Sequence, residues 1–104
     1  MNDIQQAVTS QTKKIIRRAL VEGMPDYALR NLSVRAGEDH DGSAVLFVEA
    51  EYALSDRAVD PAATAGLTSR LRELLWQAGE TRFPHIRHRF AEGQKIQERR
   101  RARA

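Results

Sequence analysis

Ala44-Val45-Leu46-Phe47-Val48-Glu49-Ala50-Glu51-Tyr52 carries the clearest strand pattern in the chain. Leu46, Val48, Ala50 and Tyr52 alternate with Val45, Phe47, Glu49 and Glu51. That period of two is the signature of a strand with one buried face. At its start the strand is apolar in both phases. Val45 and Phe47 therefore call for cover on the far side of the sheet, which a partner subunit would supply.

Upstream, residues 28–36 read as a second strand, with Leu32, Val34 and Ala36 alternating with Asn31, Ser33 and Arg35. The polar run Gly37 to Ser43 turns this strand into the first, which predicts an antiparallel hairpin. Further upstream, the spacing predicts a helix over 3–22. Ile4, Val8, Ile15 and Ala19 form one stripe, widened by Ile16 and Leu20 and interrupted by Gln11 and Thr12. Asp3 is the expected cap with Gln6 as its partner, and Gly23 with Pro25 ends the run. Lys13, Lys14, Arg17 and Arg18 then fall in the second half of that helix, where cations suit the negative end of the macrodipole.

Downstream, a loop over 53–59 leads to Asp60-Pro61, a capping acid followed by proline at the first helical position. Leu67, Leu71, Leu74, Leu75 and Ala78 make an apolar stripe that Gly79 terminates. Gly66 lies inside it and marks a kink, a close packing contact or a helix start nearer Leu67. After Phe83-Pro84, residues 85–90 alternate as a third strand, with Ile86, His88 and Phe90 in one phase and His85, Arg87 and Arg89 in the other. The expected fold is α+β: two helices packed on one face of a small three-stranded sheet, in the order α-β-β-α-β, with a basic C-terminal tail. Residues 1–92 form the single domain, and 93–104 a frayed or disordered tail.

Size and charge narrow the function classes. The 104 residues suit one domain. Having no cysteine, the chain has no disulfide, thiol nucleophile or thiolate metal site. The run Ala44–Val48 is the longest apolar one and is far short of the ~20 residues that span a bilayer. The first six residues lack the basic-then-apolar order of a secretory signal, so a cytoplasmic location and no membrane partner are expected. The net charge is +3, yet in residues 95–104 five cations oppose one acid, a net +4, so the rest of the chain carries −1. The body is therefore not a basic nucleic-acid domain in bulk.

Several residue groups invite chemistry. Glu38-Asp39-His40-Asp41-Gly42 looks like a hard-cation loop, but the distal glutamate of a calcium loop is missing, and the residues are those of an ordinary solvated turn. Glu49 and Glu51 share a face and would serve as an acid–base pair, or pair across strands with Arg87 and Arg89, which is the expected arrangement. His85 and His88 point to opposite sides of a strand, so they share no metal. No motif places a nucleophile, and no metal, cofactor or small-molecule substrate is expected. Trp76 falls at the edge of its helix stripe, where it serves as core-edge packing or as an interface anchor. His85, Arg87 and Arg89, with Arg99, Arg100 and Arg101 in the tail, are the candidate nucleic-acid contacts.

The order α-β-β-α-β, the Thr64-Ala65-Gly66 element opening the second helix and the closing Pro84-Xaa-Ile86 strand resemble ribosome-binding factor A and related KH-type RNA binders over roughly residues 4–90. The likeness is one of topology. It implies RNA binding as an alternative function, although the Gly-Xaa-Xaa-Gly loop of KH domains is absent. The reading from the residues is a non-enzymatic accessory protein that binds itself or a protein partner through the exposed sheet face and Trp76, with Val45 and Phe47 at its centre.

Overall fold

The computed structural model describes residues 7–91. In chain order these form α1 (Ser10–Gly23), β1 (Leu29–Glu38), β2 (Ala44–Tyr52), α2 (Pro61–Gln77) and β3 (Phe83–Phe90). The class and order are those expected: an α+β domain with two helices and a three-stranded sheet. The basic tail falls outside the described residues.

The sheet order is β1-β2-β3, with β2 antiparallel to β1 and parallel to β3. A two-residue strand period puts Leu46, Val48, Ala50 and Tyr52 on the helix side, and all four are at most 1% exposed. They meet Ile16, Ala19 and Leu20 of α1 and Leu67, Leu71 and Leu75 of α2 in one core. Pro84 is completely buried in the edge strand β3, where a missing N–H is tolerated.

Local chemistry sets each boundary. Asp60 caps α2 by accepting the Ala62 N–H at 3.0 Å, and Pro61 opens the helix. At the other end Glu80 N–H reaches the Leu75 carbonyl and Gly79 N–H the Trp76 carbonyl. Gly79 has φ of +89°, so this is a Schellman closure in which glycine carries the left-handed residue. Glu80 and Arg82 then form a mostly buried ion pair at 2.8 Å in the turn into β3. The Arg82 hydrogen bonds hold the Glu80 carboxyl below its ordinary pKa.

The starts of α1 and β3 and the placement of Thr12 differ from the sequence reading. Helix α1 starts at Ser10 rather than near residue 3, because Thr9 takes the cap by accepting the Thr12 N–H at 3.1 Å. Asp3, the expected cap, lies outside the described residues. Thr12 does not interrupt the stripe; it is buried within it, its hydroxyl satisfied by the Thr9 hydroxyl at 3.0 Å. Strand β3 begins at Phe83 rather than 85, since Phe83 already pairs with Val45.

Gly66 is neither the helix start nor a close packing contact. Helix α2 runs through it from Pro61, it is exposed, and a Cβ built there would meet nothing within 4 Å. Its only effect is the backbone entropy that glycine loses in a helix. Gly66→Ala is expected to stabilise the domain by about 0.5–1 kcal/mol. Chemical denaturation would show this as a higher midpoint at unchanged slope, and a lower midpoint would mean that the position needs glycine.

Candidate functional site

Because both helices pack on one side, the opposite sheet face is left open among the described residues. It presents Asn31, Ser33, Arg35 and Gly37 from β1, Val45, Phe47, Glu49 and Glu51 from β2, and Phe83, His85, Arg87 and Arg89 from β3. The two edge strands thus hold the cations of this face and the central strand its acids.

At one end of this face the side chains form a linked ridge. The Phe47 ring stacks with His85 at a centroid distance of 5.8 Å, and His85 meets Phe83 edge-on at 4.9 Å. The Arg35 guanidinium lies 4.6 Å over the Phe47 ring, and Arg72 of α2 lies 5.3 Å over Phe83. Gly37 makes the ridge fit: a Cβ there would approach the Phe47 ring to 2.5 Å, so only glycine lets the ring lean across β1. Stacking and cation–π contacts hold these side chains in place before any partner arrives.

At the other end charge dominates. Glu49 lies between Arg87 at 3.9 Å and Arg89 at 4.0 Å, all three partly exposed. Pairs of this kind contribute only some tenths of a kcal/mol each. Their consequence is orientation, since they hold two arginines flat on the sheet and offset one of the two carboxylates. Glu51 forms no ion pair within 4 Å among the described residues.

The sequence-predicted residues are therefore only partly brought together. Phe47, His85, Arg87 and Arg89 share the open face. Val45 lies on that face but is 1% exposed, so its row between Gly37 and Phe83 is already closed within the chain. Trp76 is 60% exposed on α2, one helical turn after Arg72, whose guanidinium lies over Phe83 of the open face. Arg99, Arg100 and Arg101 lie outside the described residues. Sequence reasoning missed Arg35, Gly37, Phe83 and Arg72. The register supplies the signal for three of them: Arg35 pairs with Phe47, Gly37 is the next position on the same face, and Phe83 is in phase with His85.

The other candidate groups have local partners. The Asp39 carboxylate accepts the Asp41 and Ser43 N–H groups at 2.9 and 3.0 Å and closes the hairpin turn, with Gly42 at φ +83°. The Ser43 amide above all holds this carboxyl below its ordinary pKa. No group of three or more metal-ligating side chains occurs among the described residues. Likewise no described helix is long and apolar enough to cross a membrane. His88 faces the helices, as its phase requires, stacked on Tyr52 with its Nδ1 2.9 Å from the Tyr52 hydroxyl. Its Nε2 is buried without a hydrogen-bond partner among the described residues. Burial pushes the Tyr52 hydroxyl up to about 12 and the His88 imidazole down.

Comparison with known proteins finds no matching family model, no matching curated protein and no matching solved structure. The resemblance to ribosome-binding factor A thus rests on element order and the two short segments around Thr64-Ala65-Gly66 and Pro84-Xaa-Ile86.

His88 sets a pH dependence whose sign follows from its burial. In the unfolded chain an imidazole titrates near ~6.5, and in the folded chain it titrates lower. The unfolded state takes the proton first. The stability due to neutral His88 is complete above that value and is lost as pH falls toward the folded one. The thermal midpoint should therefore decline from about pH 6.5 downward, ahead of the carboxylates. His88→Phe should flatten that first decline while leaving the steeper one at lower pH, where Asp39 and Glu80 are protonated. A His88→Phe profile parallel to wild type between about pH 6.5 and 5 would contradict this assignment.

Proposed function

We propose that the protein is a non-catalytic binding module whose open sheet face engages another protein, the simplest such partner being a second copy of the chain. The supporting observation is the pre-ordered ridge of Arg35, Phe47, His85 and Phe83 beside the charged field of Glu49, Arg87 and Arg89. Arginine and aromatic side chains supply most of the binding energy at protein interfaces, and a polar, mixed-charge surround is the usual rim. Side chains already fixed in place lose little further entropy on binding.

The same geometry makes RNA the second reading. His85, Arg87 and Arg89 run along one strand, as a phosphate-tracking row would. Two carboxylates, however, lie on the neighbouring central strand, and one of them engages both arginines. The Phe47 ring is occupied by Arg35 and His85, which leaves it poorly placed to stack a base.

Sedimentation velocity over a range of concentrations, with the 260/280 nm absorbance ratio recorded, separates the two readings. A concentration-dependent dimer that dissociates in Phe47→Asp and in the charge reversal Glu49→Arg supports the sheet-face interface. Two variants are used because Phe47 is half-buried and Glu49 is not structurally required. A strictly monomeric protein that carries salt-releasable nucleic acid in both variants would replace the protein reading with the RNA one.

A further inference from the structure

The cations of α1 all lie outside its last turn, where the macrodipole would favour them. Because α1 starts at Ser10, Lys13 and Lys14 occupy its first half, its first turn carries no acid, and its last turn carries no base. The macrodipole acts within the terminal turns, so the favourable placement expected of these cations is not realised and the dipole does not account for them. Nor does charge pairing explain them. Arg18 pairs with Glu22 at 3.3 Å, but Lys13, Lys14 and Arg17 have no acidic partner within 4 Å among the described residues.

These three side chains line a groove with Leu32, Ser33 and Val34 of β1. β1 is an edge strand, and the hairpin fixes which of its main-chain groups are used. Asp39 N–H donates to the Ser43 carbonyl at 3.0 Å, so Asp39 points its main chain toward β2. Antiparallel alternation then directs Gly37, Arg35 and Ser33 inward as well, and leaves Leu32, Val34 and Ala36 with their N–H and C=O groups toward the open edge. The groove thus offers two things together: a short row of alternating main-chain donors and acceptors, and three cations above it that have no acidic partner among the described residues.

We propose that this groove takes an extended acidic segment of a partner protein, added as a fourth strand beside β1 with its helix-side carboxylates against Lys13, Lys14 and Arg17. An added strand satisfies both the N–H and the C=O groups of the edge, whereas a phosphate backbone has only acceptors and would leave the carbonyls unpaired. Side chains of the added strand alternate, so acids at every second position reach the α1 side, with the half-buried Leu32 and Val34 below them. A second copy joined edge to edge would bring two sets of these cations together on the helix side and is disfavoured by like charge. The chain's own residues 95–104 carry net +4 and are repelled in the same way.

Fluorescence anisotropy on the full chain tests this with a labelled ten-residue peptide that alternates glutamate with valine or threonine. Expected is saturable binding that weakens at least tenfold with glutamine in place of glutamate and in the Lys13→Glu, Lys14→Glu, Arg17→Glu variant, whose changes are all at exposed positions. N-methylation at alternate residues should abolish binding in one phase and spare it in the other, since only one set of N–H groups faces β1. Phe47→Asp should leave the affinity unchanged, which separates this groove from the sheet face. Equal binding of the two N-methylated phases would overturn strand addition. So would absence of peptide binding, and so would tighter binding of a labelled oligouridylate, which would assign the groove to nucleic acid.

Discussion

Strand β2 is hydrogen-bonded on both sides, and every other part of the molecule takes its position from that constraint. Leu46, Val48, Ala50 and Tyr52 turn one face entirely toward the helices. A central strand with one such face fixes its register, because a slip of one residue would carry all four side chains to the other side of the sheet. The antiparallel hairpin places β1 on one flank, and the α2 crossover places β3 parallel on the other. Helix α1 then covers the β1 side and α2 the β3 side, with Gly23 close enough to Leu67 that a Cβ there would meet its side chain at 2.6 Å. Two helices are enough to cover one face of three strands, and no described element remains for the other face.

That asymmetry is why the chemistry gathers where it does. Side chains of the uncovered face can be neither plainly apolar nor plainly charged. Phe47 and Phe83 are shielded by Arg35, His85 and Arg72 rather than by a second layer. Arginine suits this role, since its planar guanidinium is weakly hydrated and lies flat on a ring. The result is a face that is ordered without being buried. It carries cations on both outer strands around an acidic middle, a layout that attracts a surface of mixed charge better than a uniform polyanion.

Most of the architecture was legible in the sequence because it depends on periodicity and punctuation, which are local. The alternation in 44–52, the Asp60-Pro61 start and the Gly79 stop are each settled within a few residues. The open face was legible in outline for the same reason: Glu49, Arg87 and Arg89 were expected to pair because phase alone puts them together. What escaped depends on register and three-dimensional approach. Gly37 reads as an ordinary turn residue until it is set beside Phe47 across the strands. Arg72 belongs to a helix, and only the fold carries it over Phe83.

The start of α1 shows how one local competition reshapes the functional reading. Asp3 and Thr9 are both acceptable caps, and the apolar stripe extends far enough upstream to suit either. The tie is broken by Thr12, whose amide and hydroxyl are both satisfied by Thr9, so that it can be buried against the core. Once the helix begins there, Lys13 and Lys14 fall in its first half, outside the last turn where the macrodipole would favour them. Neither the macrodipole nor an acidic partner among the described residues accounts for these cations, which turns attention to what binds beside them. Lys13, Lys14 and Arg17 line the β1 edge, where the sheet has main-chain groups still to satisfy. The cations and the unpaired edge are two halves of one binding requirement, since a strand that completes the edge necessarily lays alternate side chains beneath α1.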